Sequence, residues 1–312
     1  MLIFPTYQTL LTKPVATGGD GDGDGGSGGD SFITTDLKVH YDFSNTSCWS
    51  RNNSSNAADY TVHNLIDDYN DAFFRVRTNN SFQYGSDSDV IDYDSDGGGC
   101  WVMDPTEYWY QDAAVLVIPG TFSGTNALQN THNLPTETSS HNLFNGVGEG
   151  EWTFETWTRF YVNSSNARVT YPWSISTTNT GGNTIGFNCI IYGLNFPFWF
   201  LRNKVRHFIH TTQTMINLPT AVSSGAAWTD WLHIVLTRDD SNTFKLYFQN
   251  SNVYTLTQTH NLANLRFLML NQVGDANQMP TRTGIFRFYK GKHFSSTDVT
   301  TNWNAQKSRF GH

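Results

Sequence analysis

The segment EWTFE places Glu151 and Glu155 four residues apart, and IDYDSDG places Asp92, Asp94 and Asp96 at alternate positions ahead of Gly97. On a strand, such glutamates share a face. They therefore meet the first requirement of glycoside hydrolysis, a pair of carboxylates serving as nucleophile and general acid. The three aspartates match the first half of a calcium-binding loop. The second half is missing, because the twelfth position, where a bidentate Glu belongs, is Met103. Calcium held here would draw on Asp87, Asp89 or Asp104 instead, since clustered carboxylates repel one another without a cation. The alternative is a solvated acidic turn.

A further stretch, GGDGDGDGGSGGD from Gly18 to Asp30, also alternates aspartate with glycine, but eight of its thirteen residues are glycine. Counted from Asp20, its twelfth position is Ser31, and no helical pattern flanks it. Glycine leaves the backbone its greatest freedom. The stretch therefore reads as a flexible tether with a span of about 20 Å r.m.s. and a reach of about 45 Å when stretched. Ahead of it, Leu2, Ile3, Phe4, Tyr7, Leu10, Leu11 and Val15 form an apolar arm too short to bury itself. Residues 1–17 are expected to anchor the chain by docking on a partner or a neighbouring subunit.

Other reactive arrangements are absent from the sequence. No Ser-His-Asp set, Walker loop or dinucleotide fingerprint occurs. The histidines show no metal-ligand spacing, and His233, inside an apolar run, is expected to be a hydrogen-bonded core residue. Cys48, Cys100 and Cys189 include no Cys-x-x-Cys pair and are expected to be buried small hydrophobes, with at most one disulfide. The formal net charge is -8, and Lys and Arg are scattered apart from RNKVRH (Arg202 to His207). That distribution argues against nucleic acid and anionic membrane as partners. No apolar run is long enough to span a bilayer. The N-terminal apolar residues lack a basic residue before Lys13 and are interrupted by Pro5, Tyr7, Gln8 and Thr9, so a cleaved export signal is not expected. The sequons at Asn45, Asn53, Asn79 and Asn163 then read as products of an Asn- and Ser-rich composition.

The elements that must position these residues are strands. In WLHIVLTRDDSNTFKLYFQN, Leu232, Ile234 and Leu236 lie on one face and Trp231, His233 and Val235 on the other, which predicts a strand covered on both sides. RDDSN then turns the chain, and Phe244, Leu246 and Phe248 alternate with Lys245, Tyr247 and Gln249, a hairpin pattern. EWTFETWTRFYV, LRFLMLN and TGIFRFYKGKHF are further strand candidates. One helix is predicted, in SSTDVTTNWNAQKSRF, where Ser295 and Asp298 form a capping-box start and Val299 and Trp303 share a face. Many short strands with Gly, Asn and Ser turns predict a β-sandwich.

The order of these pieces resembles the concanavalin A-like lectin/glucanase superfamily, most specifically the laminin-G-like domains of bacteriophage virion proteins. The resemblance rests on LKVHYDFSNTSCW, HNLID, YWYQDAAVLVIPG and EWTFETWTRF. It is densest in WTDWLHIVLTRDDSNTFKLYFQN and GIFRFYKGKHFSSTDVTTNWNAQKSRFG. The chain departs from the family in long insertions such as FSGTNALQNTHNLPTETSSHNLF, and in Gln249-Asn250 where the family turns through Asn-Gly. Glycosidases of the superfamily carry Glu-x-Asp-x-Glu on the catalytic strand, whereas Thr153 stands at the middle position here. The carboxylate that would tune the pair is thus missing. The resemblance instead implies that Glu155 lies on a structural strand, half-buried and accepting backbone or Trp hydrogen bonds. The rings of NFPFWFLRNK and CWVMDPTEYWYQ are groove-lining candidates, but most aromatics of a sandwich belong to its core, so no sugar-binding residue is assigned.

The expected protein is all-β: a two-sheet antiparallel jelly-roll sandwich with one short C-terminal helix and an extended N-terminal arm. Residues 1–17 form the arm, 18–30 the linker and 31–312 the sandwich. The resemblance implies a non-enzymatic virion structural protein, a decoration or fibre component at the surface of a phage head or tail. Capsid or tail proteins would bind the arm, host-surface glycans would be contacted by the sandwich, and homo-oligomers are compatible with this arrangement. No cofactor is required, with calcium at Asp92, Asp94 and Asp96 as the metal to be tested. The alternatives are a free carbohydrate-binding lectin and, resting only on Glu151 and Glu155, a glycoside hydrolase.

Overall fold

A computed structural model describes residues 31–51, 61–66, 71–78, 81–84, 91–103, 113–119, 150–162, 169–170, 174–176, 186–192, 204–209, 212–217, 227–257, 267–270 and 281–312. The arm, the glycine-aspartate linker, Asp87, Asp89, Asp104 and the insertion at 122–144 lie outside these residues.

The chain folds as an all-β sandwich of two antiparallel sheets with one short C-terminal helix. Numbered in chain order, the first sheet runs β17 (Ser251–Thr257), β16 (Thr243–Phe248), β15 (Leu232–Arg238), β8 (Trp152–Val162), β19 (Thr281–Lys290), β6 (Cys100–Met103) and β5 (Ile91–Asp94). β1 (Leu37–Asp42) pairs with the second half of β19, and β14 (Ala227–Trp228) with the end of β8. The second sheet runs β13 (Thr212–Asn217), β12 (Lys204–Ile209), β11 (Gly186–Tyr192), β10 (Ser174–Ser176), β18 (Phe267–Leu270), β7 (Ala113–Pro119), β3 (Ala72–Thr78) and β2 (Thr61–Val62). β4 (Ser81–Tyr84) joins it beside β3 and β9 (Val169–Thr170) beside β11.

The three central strands of the first sheet follow from their composition. β15, β8 and β19 are rich in Thr, Val, Ile, Phe and Trp, which suit a pleated surface packed on both sides. The interior of β15 is buried at every position, as its two apolar faces predict. Residues opposite each other on paired strands share a face, so the register sorts the side chains. Trp152 and Phe154 of β8, Ile234 and Leu236 of β15, and Phe286 and Phe288 of β19 face the second sheet. There Phe154 stacks on Phe288 with ring centroids 4.6 Å apart. Thr153, Glu155 and Trp157 face outward with Thr237, Val235 and His233 of β15 and with Tyr289, Arg287 and Ile285 of β19.

That outward face is covered by α1 (Ser296–Gln306) and the tail behind it. The helix starts where the sequence predicts. Ser295 Oγ accepts from the Asp298 N–H, and Asp298 Oδ2 accepts in return from the Ser295 N–H at 2.8 Å. Its Val299 packs with Leu37, Val235, Tyr247, Tyr289 and Phe294 in one buried cluster. Trp157 is stacked by Trp303 of the helix at 5.1 Å and by Phe310 of the tail at 4.4 Å. A helix of eleven residues is marginal alone, so it is the sheet that holds it. Among the described residues, no helix is long and apolar enough to cross a membrane.

Candidate functional site

Glu155 is the fully enclosed carboxylate at the middle of β8. Its Oε1 lies 2.8 Å from His233 Nε2. Its Oε2 accepts from Asn302 Nδ2 at 2.7 Å and from Arg287 Nη1 at 3.4 Å, and lies 3.3 Å from Tyr289 Oη. Burial works to raise the carboxyl's pKa, but the Arg287 charge, followed by His233 and Asn302, holds it down at about 2. The sequence-based expectation of a half-buried glutamate bonded to backbone or Trp needs correction. This glutamate is wholly buried and accepts only from side chains, because the outward face of β8 is roofed by α1.

His233 is the buried, hydrogen-bonded core histidine that its apolar surroundings predict. Its Nδ1 lies 3.0 Å from the backbone carbonyl of Gln249, while Nε2 faces Glu155. Both neighbours of the ring carry acceptor oxygens. Gln249 makes this geometry through its backbone. At φ 58° it turns its own carbonyl toward the ring. Its side-chain Oε1 then takes the vacant ladder position by accepting from the His233 N–H at 3.0 Å, and Nε2 donates to the Trp231 carbonyl at 3.1 Å. The departure from Asn-Gly at this hairpin is thus filled by an amide that bonds to the strand edge.

The same network reaches the first described residues of the body. Asn302 Oδ1 accepts from the Ile33 N–H at 2.8 Å, and Tyr289 Oη donates to the Ile33 carbonyl at 3.0 Å. Phe32 lies over the Arg287 guanidinium, 3.7 Å from it to the ring centroid. His40, across from Arg287 on β1, is also buried. Burial, and then the Arg287 charge, push its pKa down to about 3.

Glu151 stands apart from this enclosure. It precedes β8, is partly exposed and lies 2.6 Å from His293 Nδ1. Shared parity therefore does not make Glu151 and Glu155 a working pair. One carboxylate meets solvent and the other is sealed beneath a helix.

Asp94 and Asp96 belong to a second cluster. Arg159 of β8 and Arg282 of β19 lie directly opposite each other. Asp96 Oδ2 accepts from both, at 2.6 Å in each case, and Asp94 pairs with Arg282. Asp96 Oδ1 lies 3.4 Å from Trp231 Nε1. Burial opposes ionisation of Asp96, but Arg159, Trp231 and Arg282 hold its pKa below the ordinary value. Asp92 is exposed and accepts from its neighbour Tyr93 N–H. Of the three aspartates of the calcium-like motif, Asp94 and Asp96 converge on the Arg282 guanidinium and Asp92 is turned to solvent. Among the described residues, no group of three or more His, Cys, Asp or Glu side chains is arranged to hold a metal ion.

The Arg282 guanidinium also lies 4.2 Å from the centroid of Trp228, whose ring meets Tyr161 edge-on at 5.5 Å. Sequence reasoning missed this cluster. Its one legible trace is the pair of aspartates, whose partners lie on strands far away in the chain. Of the rings offered as groove-lining candidates, Trp101 is fully buried beside Phe43, in the core. The segments at 195–203 and 104–111 lie outside the described residues. Cys48 and Cys100 are buried, as expected, and burial pushes the Cys100 thiol up to about 12.

No family model and no curated protein matches this chain. Solved structures do. A sialidase of Trypanosoma rangeli aligns with 92% of this chain and 37% of its own, at 9% identity and a TM-score of 0.53. The binding domain of botulinum neurotoxin serotype D aligns with 87% of this chain and 52% of its own, at 8% identity and a TM-score of 0.51. The binding domain of botulinum neurotoxin DC in complex with SialylT gives the same coverage at 10% identity and a TM-score of 0.50. This chain spans about half the length of the neurotoxin chains it matches, 52%. What it shares with all three is the fold, a β-sandwich.

Proposed function

We propose that this chain is a non-enzymatic structural and binding protein of a phage particle, anchored by residues 1–17 and displaying the sandwich toward host-surface glycans. The observation that carries the non-catalytic part is the enclosure of Glu155. The one carboxylate of EWTFE that lies within the strand is spent on His233, Arg287, Tyr289 and Asn302 under α1 and has no exposed surface for a substrate. A nucleophile or general acid must touch the sugar. The fold shared with a sialidase and with toxin binding domains supports a lectin-like module. The laminin-G-like resemblance of Trp228 to Asn250 and of Gly284 to Gly311, with the apolar arm and its tether, supports the virion setting.

Particles assembled with the full chain should carry it at their surface, as labelled electron micrographs would show. Particles assembled with a chain beginning at Ser31 should lack it. Undiminished incorporation of the shortened chain would overturn the anchoring role. Release of reducing sugar that is abolished in Glu155→Gln, with the protein still folded, would overturn the non-enzymatic reading.

A further inference from the structure

The outward face of the first sheet is divided. From Thr153 to Trp157 it is roofed by α1 and the tail, but the next outward positions of β8, Arg159 and Tyr161, keep intermediate exposure. Around them stand Trp228 of β14, Arg282 of β19, Asp94 and Asp96. Asp94 is 33% exposed, Asp96 27%, and the two arginines just under one-fifth.

Fold stability alone gives little reason for this set. Like charges directly opposite on neighbouring strands are unfavourable, and partly exposed ion pairs contribute little. What the set does supply is a recognition surface. Trp228 and Tyr161 give two half-buried rings in cross-strand register, meeting edge-on, with the Arg282 guanidinium over the Trp228 ring. Beside them are planar guanidinium donors and carboxylate acceptors, already held in place by one another. A pyranose ring has one apolar C–H face and a rim of hydroxyls that both donate and accept. Rings beside fixed Asp and Arg groups match that pattern.

The charges also select. Two arginines balance two aspartates, Asp92 adds a negative charge nearby, and the whole chain carries -8. An anionic sugar would gain no net attraction.

We infer that the cluster of Trp228, Tyr161, Arg159, Arg282, Asp94 and Asp96 is a subsite for an uncharged pyranoside unit of a glycan. The sugar packs against the half-buried Trp228 and Tyr161 rings, and its hydroxyls bond to the Asp and Arg groups at the rim. This rests on the glycan-contact reading of the domain, and one experiment separates the two.

The full-length protein, Trp228→Ala and Asp94→Asn are applied to an array of glycans ending in glucose, galactose, mannose, N-acetylglucosamine or sialic acid, with melting curves as the check on folding. The expected result is binding of at least one neutral-ended glycan, weakened about tenfold or more in Trp228→Ala. Asp94→Asn, at the exposed rim, reads the same site should Trp228→Ala fail to fold. Wild-type binding left unchanged in the folded variants overturns the site while the glycan reading stands. Binding of sialylated glycans alone overturns the uncharged class. No binding by the wild type overturns both.

Discussion

His233 Nε2 and Glu155 Oε1 lie 2.8 Å apart with both side chains fully enclosed, and Arg287 Nη1 stands 3.4 Å from the other oxygen of the same carboxylate. Removing one partner of a buried pair leaves the other uncompensated, which costs about 3–5 kcal/mol. Glu155→Gln should lose stability on that scale in urea titrations of the full chain. Glu151→Gln, whose carboxylate is partly exposed beside His293, should change stability by about 0.5 kcal/mol or less. Equal effects at the two positions would contradict the enclosure.

The pH dependence follows from the same groups. Glu155 is lowered from 4.5 to about 2 on folding, so its contribution is present above 4.5 and is lost as pH falls from there toward about 2. His40 is lowered from 6.5 to about 3, so it is neutral in the folded chain while the unfolded chain takes up a proton below 6.5. The two effects have the same sign. The melting temperature should fall steadily as pH drops below 6.5, with a steeper decline beneath 4.5. His40→Gln should flatten the profile between 6.5 and 4.5 and make the decline beneath 4.5 shallower, leaving the part due to Glu155. A melting temperature that rises between those limits would contradict both assignments.

Gly284 lies in the break of register in β19, where an added Cβ would stand 2.7 Å from the Phe310 ring. Gly284→Ala must displace Phe310 from Trp157. The expected loss is about 1–3 kcal/mol, with a change in tryptophan fluorescence that Ala substitutions elsewhere on the surface do not produce. Gly99→Ala should be at least as damaging. Its φ is 131°, and the new Cβ would meet the Ser44 backbone at 2.8 Å.

Asn302→Ala removes the acceptor of the Ile33 N–H and one donor to Glu155. Stability should fall by about 1–3 kcal/mol. Hydrogen exchange at Ile33 should quicken more than at the centre of β15. Unchanged exchange at Ile33 would show that Asn302 does not hold this segment.

Much of this architecture was legible from local pattern. The β15–β16 hairpin was readable because apolar alternation runs through both strands and RDDSN separates them. In the structure, Asn242 adopts φ 62° and Asp239 Oδ1 accepts from the Thr243 N–H, which is the turn chemistry those residue types favour. The helix was readable because Ser295 and Asp298 cap it reciprocally. The sites were less legible, because their partners are remote. Nothing near Glu155 in sequence announces Asn302, 147 residues away. Nothing near Asp96 announces Arg282, 186 residues away. An alternating Asp motif gives no sign of the guanidinium groups that meet it, and only the register that brings β8 beside β19 places Arg159 and Arg282 at Asp96.

The double hydrogen bond at Ile33 has a mechanical consequence. A pull on the chain ahead of Ser31 is loaded through Ile33 onto Tyr289 in β19, and through Asn302 onto α1, so it enters the sheet at its centre and the helix at its buried side. Force applied ahead of Ser31 would thereby be shared between β19 and α1.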